Sequence, residues 1–196
     1  MKKLFAIALV AGLLIPAVSG AEIALTAKGV KLGLNIASIS GADAPDDVES
    51  AVGLALGGFG TFTVNEAFAL QPEVFYSQKG AAQGDMSFNL SYLDIPLLAK
   101  WTPAVQGEIK PSLYAGPSIG ILLSANASMD GDSMDMKDTT SGLDLGLVLG
   151  AGGDMVVNGM KLTGDLRYDM GLSTLDKDGK GKTYNSVISI LVGYIF

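Results

Sequence analysis

Ionic side chains recur at every second position in the longest alternating stretches of this chain. Lys161, Asp165, Arg167 and Asp169 fall on one side of the run 160–172. Glu73 and Lys79 do the same in 68–80, and Asp94 and Lys100 in 92–101. Acids and bases brought to one protected face can build charge-assisted hydrogen bonds, or a proton or ion relay. The candidate constellation is Glu73, Asp94, Lys100, Lys161, Asp165, Arg167 and Asp169, and its expected role is a structural ion network. Lys31, Lys79, Lys110 and Asp144 share the same parity on their own stretches.

The residue types that are missing narrow the chemistry. The sequence has no His and no Cys. That excludes His-dependent acyl transfer and hydrolysis, and it excludes disulfides. No catalytic residue, cofactor or metal site is expected, and the chain does not read as an enzyme. Asp130-x-Asp132-x-x-Asp135 and Asp176-x-Asp178-Gly179 have fragments of calcium-loop spacing. Counted from Asp176, however, the twelfth position is Val187, where a bidentate Glu is required. Solvated acidic loops are expected there. The formal charge is −7, with no basic stripe interleaved with aromatics, so no nucleic-acid partner is expected.

The ionic positions need elements that hold them on one face, and the apolar residues between them supply those elements. Val30, Leu32, Leu34 and Ile36 alternate with Lys31, Gly33 and Asn35; Leu93, Ile95, Leu97, Ala99 and Trp101 alternate with Asp94 and Lys100. Period two over about ten residues marks a strand with one apolar and one polar side. Eight such strands are expected: 29–38, 52–64, 67–79, 87–101, 109–124, 143–157, 160–172 and a last one ending at Phe196. Gly53, Gly57, Gly58 and Gly60 are expected to give the second strand curvature and room on its inner face. Asn158-Gly159 is a type I′ hairpin signal. Short connections near Asn65, Pro103 and Asn158 alternate with longer ones at 40–50, 80–86, 125–141 and 174–185.

Strands of this length, apolar outside and charged inside, make an all-β, eight-stranded antiparallel up-and-down transmembrane β-barrel. Sliding one strand by one residue would turn its charges to lipid, at about 2–4 kcal/mol for each Lys or Arg at the midplane. A soluble lipocalin-like ligand carrier has the same alternation with the faces reversed. Three features point to the membrane: mean hydropathy of +0.39, long strands, and aromatics near strand ends (Phe62, Phe68, Trp101, Tyr168, Tyr194, Phe196). Lys2 and Lys3, the apolar run 4–18 and the small residues 19–21 read as a secretory signal peptide over 1–21, leaving 22–196 as the barrel domain. Beyond it, no stretch of about 20 apolar residues could form a spanning helix. Outer-membrane lipid and lipopolysaccharide are then the surroundings. Both termini are expected in the periplasm and the long loops outside, open to a surface ligand. The expected role is structural or surface-binding, with a narrow pore or secretion accessory as the alternative.

Several segments are more specific than alternation. They are Gly33-Leu34-Asn35-Ile36-Ala37, Leu70-Gln71-Pro72-Glu73 with Tyr76-Ser77-Gln78-Lys79-Gly80, Tyr92-Leu93-Asp94-Ile95-Pro96-Leu97-Leu98, Tyr114-Ala115-Gly116-Pro117, and Arg167-Tyr168-x-x-Gly171-Leu172. In this order the chain resembles the PorT-like outer-membrane β-barrel family, which usually has Glu where Asp94 stands. The resemblance implies the barrel fold and an outer-membrane location, and no defined activity. The ending Tyr194-Ile195-Phe196 resembles the signal that outer-membrane insertion machinery reads.

Overall fold

A computed structural model describes residues 24–45 and 47–196. The expected signal peptide lies outside the described residues. The strands are β1 (Ala24–Ser40), β2 (Glu49–Thr63), β3 (Phe68–Gln83), β4 (Met86–Trp101), β5 (Ile109–Met129), β6 (Asp132–Asp135), β7 (Leu143–Val157), β8 (Met160–Gly171) and β9 (Tyr184–Ile195). All of their pairings are antiparallel. Each barrel strand pairs with the next, β5 pairs with β7, and β9 returns to β1 in register from Gly29↔Ile195 to Ser40↔Tyr184. Eight strands thus close a barrel, while β6 pairs only with the end of β5. Closure satisfies every ladder within the chain, which hydrocarbon demands because it offers no hydrogen bonds of its own.

Side-chain parity decides which face meets what. On β1, Val30 is 48% exposed and Leu32 59%, while Lys31 between them is 2% exposed. The same inversion runs round the barrel: Leu54, Ile95, Leu113, Leu149, Leu166 and Ile190 are exposed, and Glu73, Asp94, Asp165 and Arg167 are buried. A water-borne carrier needs the opposite arrangement, so the lipocalin-like alternative fails. Aromatics mark two levels on the outside. Phe68, Trp101, Tyr194 and Phe196 are exposed near the rim that carries the short turns. Tyr76 and Tyr168 are exposed higher up, each sharing a hydrogen bond with a serine on the next strand, Ser91 at 3.1 Å and Ser186 at 3.0 Å. Eight residues of a strand tilted by about 40° separate Phe68 from Tyr76, a rise of roughly 20 Å, close to the height of an outer-membrane apolar band.

Several elements differ from expectation. β3 continues through Gly80 to Gln83, so its link to β4 is the two-residue turn Gly84-Asp85 rather than a polar loop over 80–86. β5 reaches Met129 because Asp130 (φ 53°) and Gly131 (φ 91°) form a tight turn into β6. Asp-Gly is the same hairpin signal as Asn158-Gly159, whose φ values of 51° and 81° fit a type I′ turn. Gly58 and Gly60 fall on the outward parity of β2 and give no room inside; Gly53 and Gly57 lie inward, against Gln78 and Phe75.

Leu34 projects from the lipid-facing side between Leu54 and Ile190. A Leu34→Arg substitution is expected to destabilise the barrel by about 2–4 kcal/mol in urea unfolding from lipid vesicles. An unchanged unfolding midpoint would contradict the outward assignment of that face.

Candidate functional site

The bore is filled by two ionic layers that the strand register builds. In the first, Glu73 of β3 has a fully buried side chain. Its Oε1 accepts from Lys31 Nζ at 3.1 Å and Gln71 Nε2 at 2.8 Å, and its Oε2 accepts from Arg167 Nη1 at 2.7 Å. Lys31 also pairs with Asp165 Oδ2 at 2.9 Å. Lys31, Arg167, Glu73 and Asp165 balance in sign, which a low-dielectric interior requires. In the second layer Lys79 stands among three carboxylates, Asp94 at 3.1 Å, Asp144 at 3.2 Å and Asp169 at 3.7 Å. Asn185 Nδ2 donates to Asp144 Oδ2 at 2.7 Å, and Ser118 Oγ donates to Asp169 Oδ1 at 3.1 Å. A polar girder links the wall beside them: Asn35 donates to Ser77 Oγ and accepts from Ser189 Oγ. A cavity of about 30 Å³ lies against both layers, lined by Lys79, Asp94, Arg167 and Asp169 among others. That is space for about one or two waters.

Glycines on inward parity make this density possible. Gly120 sits between Asp94 and Asp144 in the register, and Gly146 faces Asp169. A Cβ at Gly146 would lie 2.5 Å from both Asp169 Oδ1 and Ser118 Oγ. Aromatic rings line the cations: Lys31 lies over Phe59 at 4.6 Å, Lys79 over Tyr92 at 4.9 Å, and Arg167 is 5.4 Å from both Phe75 and Tyr114. Such cation–π contacts favour a positive charge that burial alone would disfavour.

The candidate residues therefore divide. Glu73, Asp165 and Arg167 meet in the first layer, and Asp94 and Asp169 in the second. Lys100 stands apart and pairs with Asp154 at 3.2 Å, nearer the short-turn rim. Lys161 has inward parity but is exposed at the start of β8 and joins none of these ion pairs; Lys110 is likewise exposed. Parity puts a side chain on the inner side of the wall, but depth along the strand decides whether it meets the layers. Asn35, Ser77, Ser189 and the rings of Phe59 and Phe75 belong to the site and carry no charge that would single them out. The segment Gly116-Pro117-Ser118-Ile119-Gly120 has the spacing of a hydrolase nucleophile elbow. It runs straight through β5, whereas the elbow is a sharp strand-to-helix turn, and Ser118 serves Asp169 as a donor.

The acidic loops have defined local roles. Asp130 and Asp132 belong to the β5–β6 turn, and Asp135 Oδ1 accepts from Lys137 N at 2.8 Å. Asp176 accepts from the backbone N–H of Gly181 at 2.8 Å, Asp178 at 3.1 Å and Lys180 at 3.2 Å. These donors, Gly181 first, hold the Asp176 carboxyl below the usual aspartate range. Among the described residues, no group of three or more His, Cys, Asp or Glu side chains is arranged to hold a metal ion.

A closed eight-stranded barrel with an apolar exterior and an ionic bore describes a known class of protein. The family model described as "Outer membrane protein beta-barrel domain" matches residues 26–177. The chain belongs to that family. Similar solved structures include Neisserial surface protein A, at 18% identity and TM-score 0.55, covering 86% of this chain and 97% of that one. Others are Ail, the attachment invasion locus protein of Yersinia pestis (14% identity, 87% and 98% coverage, TM-score 0.48), and OprG of Pseudomonas aeruginosa (16%, 88% and 97%, 0.43). The first of these supports the fold. No curated protein matches the sequence. The protein is thus an outer-membrane β-barrel protein whose lumen holds polar and charged side chains.

Glu73 separates two buried cations, so Glu73→Gln should cost about 3–5 kcal/mol of stability, read by urea unfolding. Adding Lys31→Met should recover part of that loss; strict additivity of the two changes would disprove the coupling. The lowered Asp176 value means that its hold on the β8–β9 loop is complete above the ordinary aspartate pKa of about 3.9 and disappears as pH falls through the lowered value. The amide resonances of Lys180 and Gly181 should titrate with a midpoint below 3.8, the ordinary value from which Asp176 is lowered.

Proposed function

We propose that this protein is a stoppered outer-membrane barrel with a structural and surface-binding role, that it is not an enzyme, and that it does not conduct. The observation that carries this reading is the pair of ionic layers spanning the bore from β1, β3 and β4 to β7 and β8. A bore just wide enough for side chains, filled by the balanced first layer, by Lys79 among three carboxylates and by four rings, leaves no continuous water path. Six of the seven residues put forward from the sequence act as structural parts of the wall. Glu73, Asp94, Asp165, Arg167 and Asp169 brace strands across the lumen, Lys100 braces near the short-turn rim, and Lys161 is solvated at the mouth.

In this reading the rim of the β2–β3, β4–β5 and β7–β8 turns and both termini face the periplasm, and the rim with the long β1–β2, β5–β7 and β8–β9 connections, which also carries the Gly84-Asp85 turn, faces outward, as is usual for such barrels. Residues 1–21 act as the secretory signal. Tyr194 and Phe196, exposed on the outer side of the last strand, serve the insertion machinery. PorT-like kinship is the finer family assignment. The outward rim is acidic: the β5–β7 connection carries Asp130, Asp132, Asp135 and Asp138 against Lys137. Beside lipopolysaccharide phosphates, such a rim needs bridging divalent cations or a basic partner.

Planar-bilayer recordings should show no steady open-channel currents, and such currents would return the narrow-pore reading to first place. Because the chain has no native Cys, single Asp130→Cys and Asn158→Cys variants test orientation in whole cells. An impermeant maleimide should label only the first; labelling of the second alone would invert the topology.

A further inference from the structure

Above the ionic layers, on the loop side, the barrel holds a cavity of about 310 Å³. Its wall is apolar: Ile39, Val48, Ala81, Phe88, Met136 and Leu175 line it. Its floor is the packed cluster of Leu90, Tyr92, Leu122 and Ala125, with Met136 and Leu175 against it. This floor lies between the cavity and Lys79, which contacts the Tyr92 ring from the bore.

The cavity is preformed. Met136 and Leu175, which close it on the loop side, are fixed by backbone hydrogen bonds to β5, within the β8–β9 loop and between the two loops. Met136 N donates to Ala125 O at 2.9 Å, Ser141 N to Leu175 O at 2.7 Å, Leu175 N to Thr183 O at 2.9 Å and Lys177 N to Thr139 O at 3.1 Å. The β1–β2 loop joins the lid through Lys182 N, which donates to Asp43 Oδ2 at 2.8 Å. An apolar, preformed concavity with a few polar edges is the usual shape of a small-molecule site.

We propose that this cup binds a small neutral apolar molecule of about ten non-hydrogen atoms, entering from the loop side. Its size follows from the volume, at about 30 Å³ for each water-sized group. Neutrality follows from the lining, whose one ionisable residue among those described is Asp176 and which includes no Lys or Arg to receive a carboxylate. Asp176 is already committed to three backbone donors and offers no counter-charge. The occupant is a free molecule rather than a bilayer acyl chain. The cup lies on the inner side of the β3–β4 wall, whose paired ladder Lys79↔Leu90 to Gln83↔Met86 is unbroken.

Met136 is the methionine lining the cup, whereas Met155, Met160 and Met170 are exposed on the outside of the barrel. Methyl-labelled methionine spectra of the protein in phosphatidylcholine nanodiscs therefore report the site and its control together. Titrated with decan-1-ol, the Met136 signal should shift saturably while the outer methionines move only in proportion to partitioning. Decanoate at pH 7.5 should bind at least about tenfold more weakly. Val48→Trp, at the mouth, should abolish the saturable shift in a protein whose folding is checked by heat-modifiable gel migration. Three results would overturn the proposal: a Met136 shift that merely tracks the outer methionines, equal binding of decanoate, or contacts from lipid acyl protons to Met136 without added alcohol.

Discussion

The structure depends on keeping ionised groups away from hydrocarbon while every backbone amide stays paired. Leaving one Lys or Arg at the midplane on the lipid side costs about 2–4 kcal/mol, and a chain with Lys31, Lys79, Lys100 and Arg167 at inner-parity positions would bear that cost several times. Closing β1 onto β9 solves both parts at once. It removes the free edges, and it makes an interior in which Glu73 can take donors from Lys31, Gln71 and Arg167.

A filled interior has consequences for what the protein can be. Two ionic layers reach across the bore, and the cations in them rest on Phe59, Phe75, Tyr92 and Tyr114. Bulk on one strand is matched by glycine on its neighbour, as with the Asp169 carboxylate that lies over Gly146. Such packing stiffens the wall and leaves variation to the rim, where β3, β4 and β5 overrun the Tyr76 level and the loops knit into a lid. The molecule separates support from recognition along its axis: ionic below, an apolar concavity above, acidic at the outermost edge.

Patterns with two physical meanings need the tertiary structure to separate them. Asp130-x-Asp132 has cation-loop spacing, but Asp130-Gly131 is a hairpin turn, and that meaning prevails because β5 has enough alternation left to pair with β6. Gly116-Pro117-Ser118-Ile119-Gly120 has the spacing of a nucleophile elbow, but the chain here is extended and Ser118 is used as a donor. Lys161 has the parity of a bore residue, yet it sits where the bore opens to water.

The sequence alone determined the strand faces, the parity of nearly every ionic side chain, the even number of barrel strands and the Asn158-Gly159 turn. It could do so because period two is a local property of the chain, and a slip of one residue is heavily penalised. Tertiary structure alone decided which charges meet. Glu73 and Arg167 are 94 residues apart, and no local rule sets how far up the axis each strand's side chains lie. It also decided the cup, whose wall joins Ile39, Ala81, Met136 and Leu175 from four separate stretches, because a cavity exists only where closed strands and their loops leave a volume unfilled.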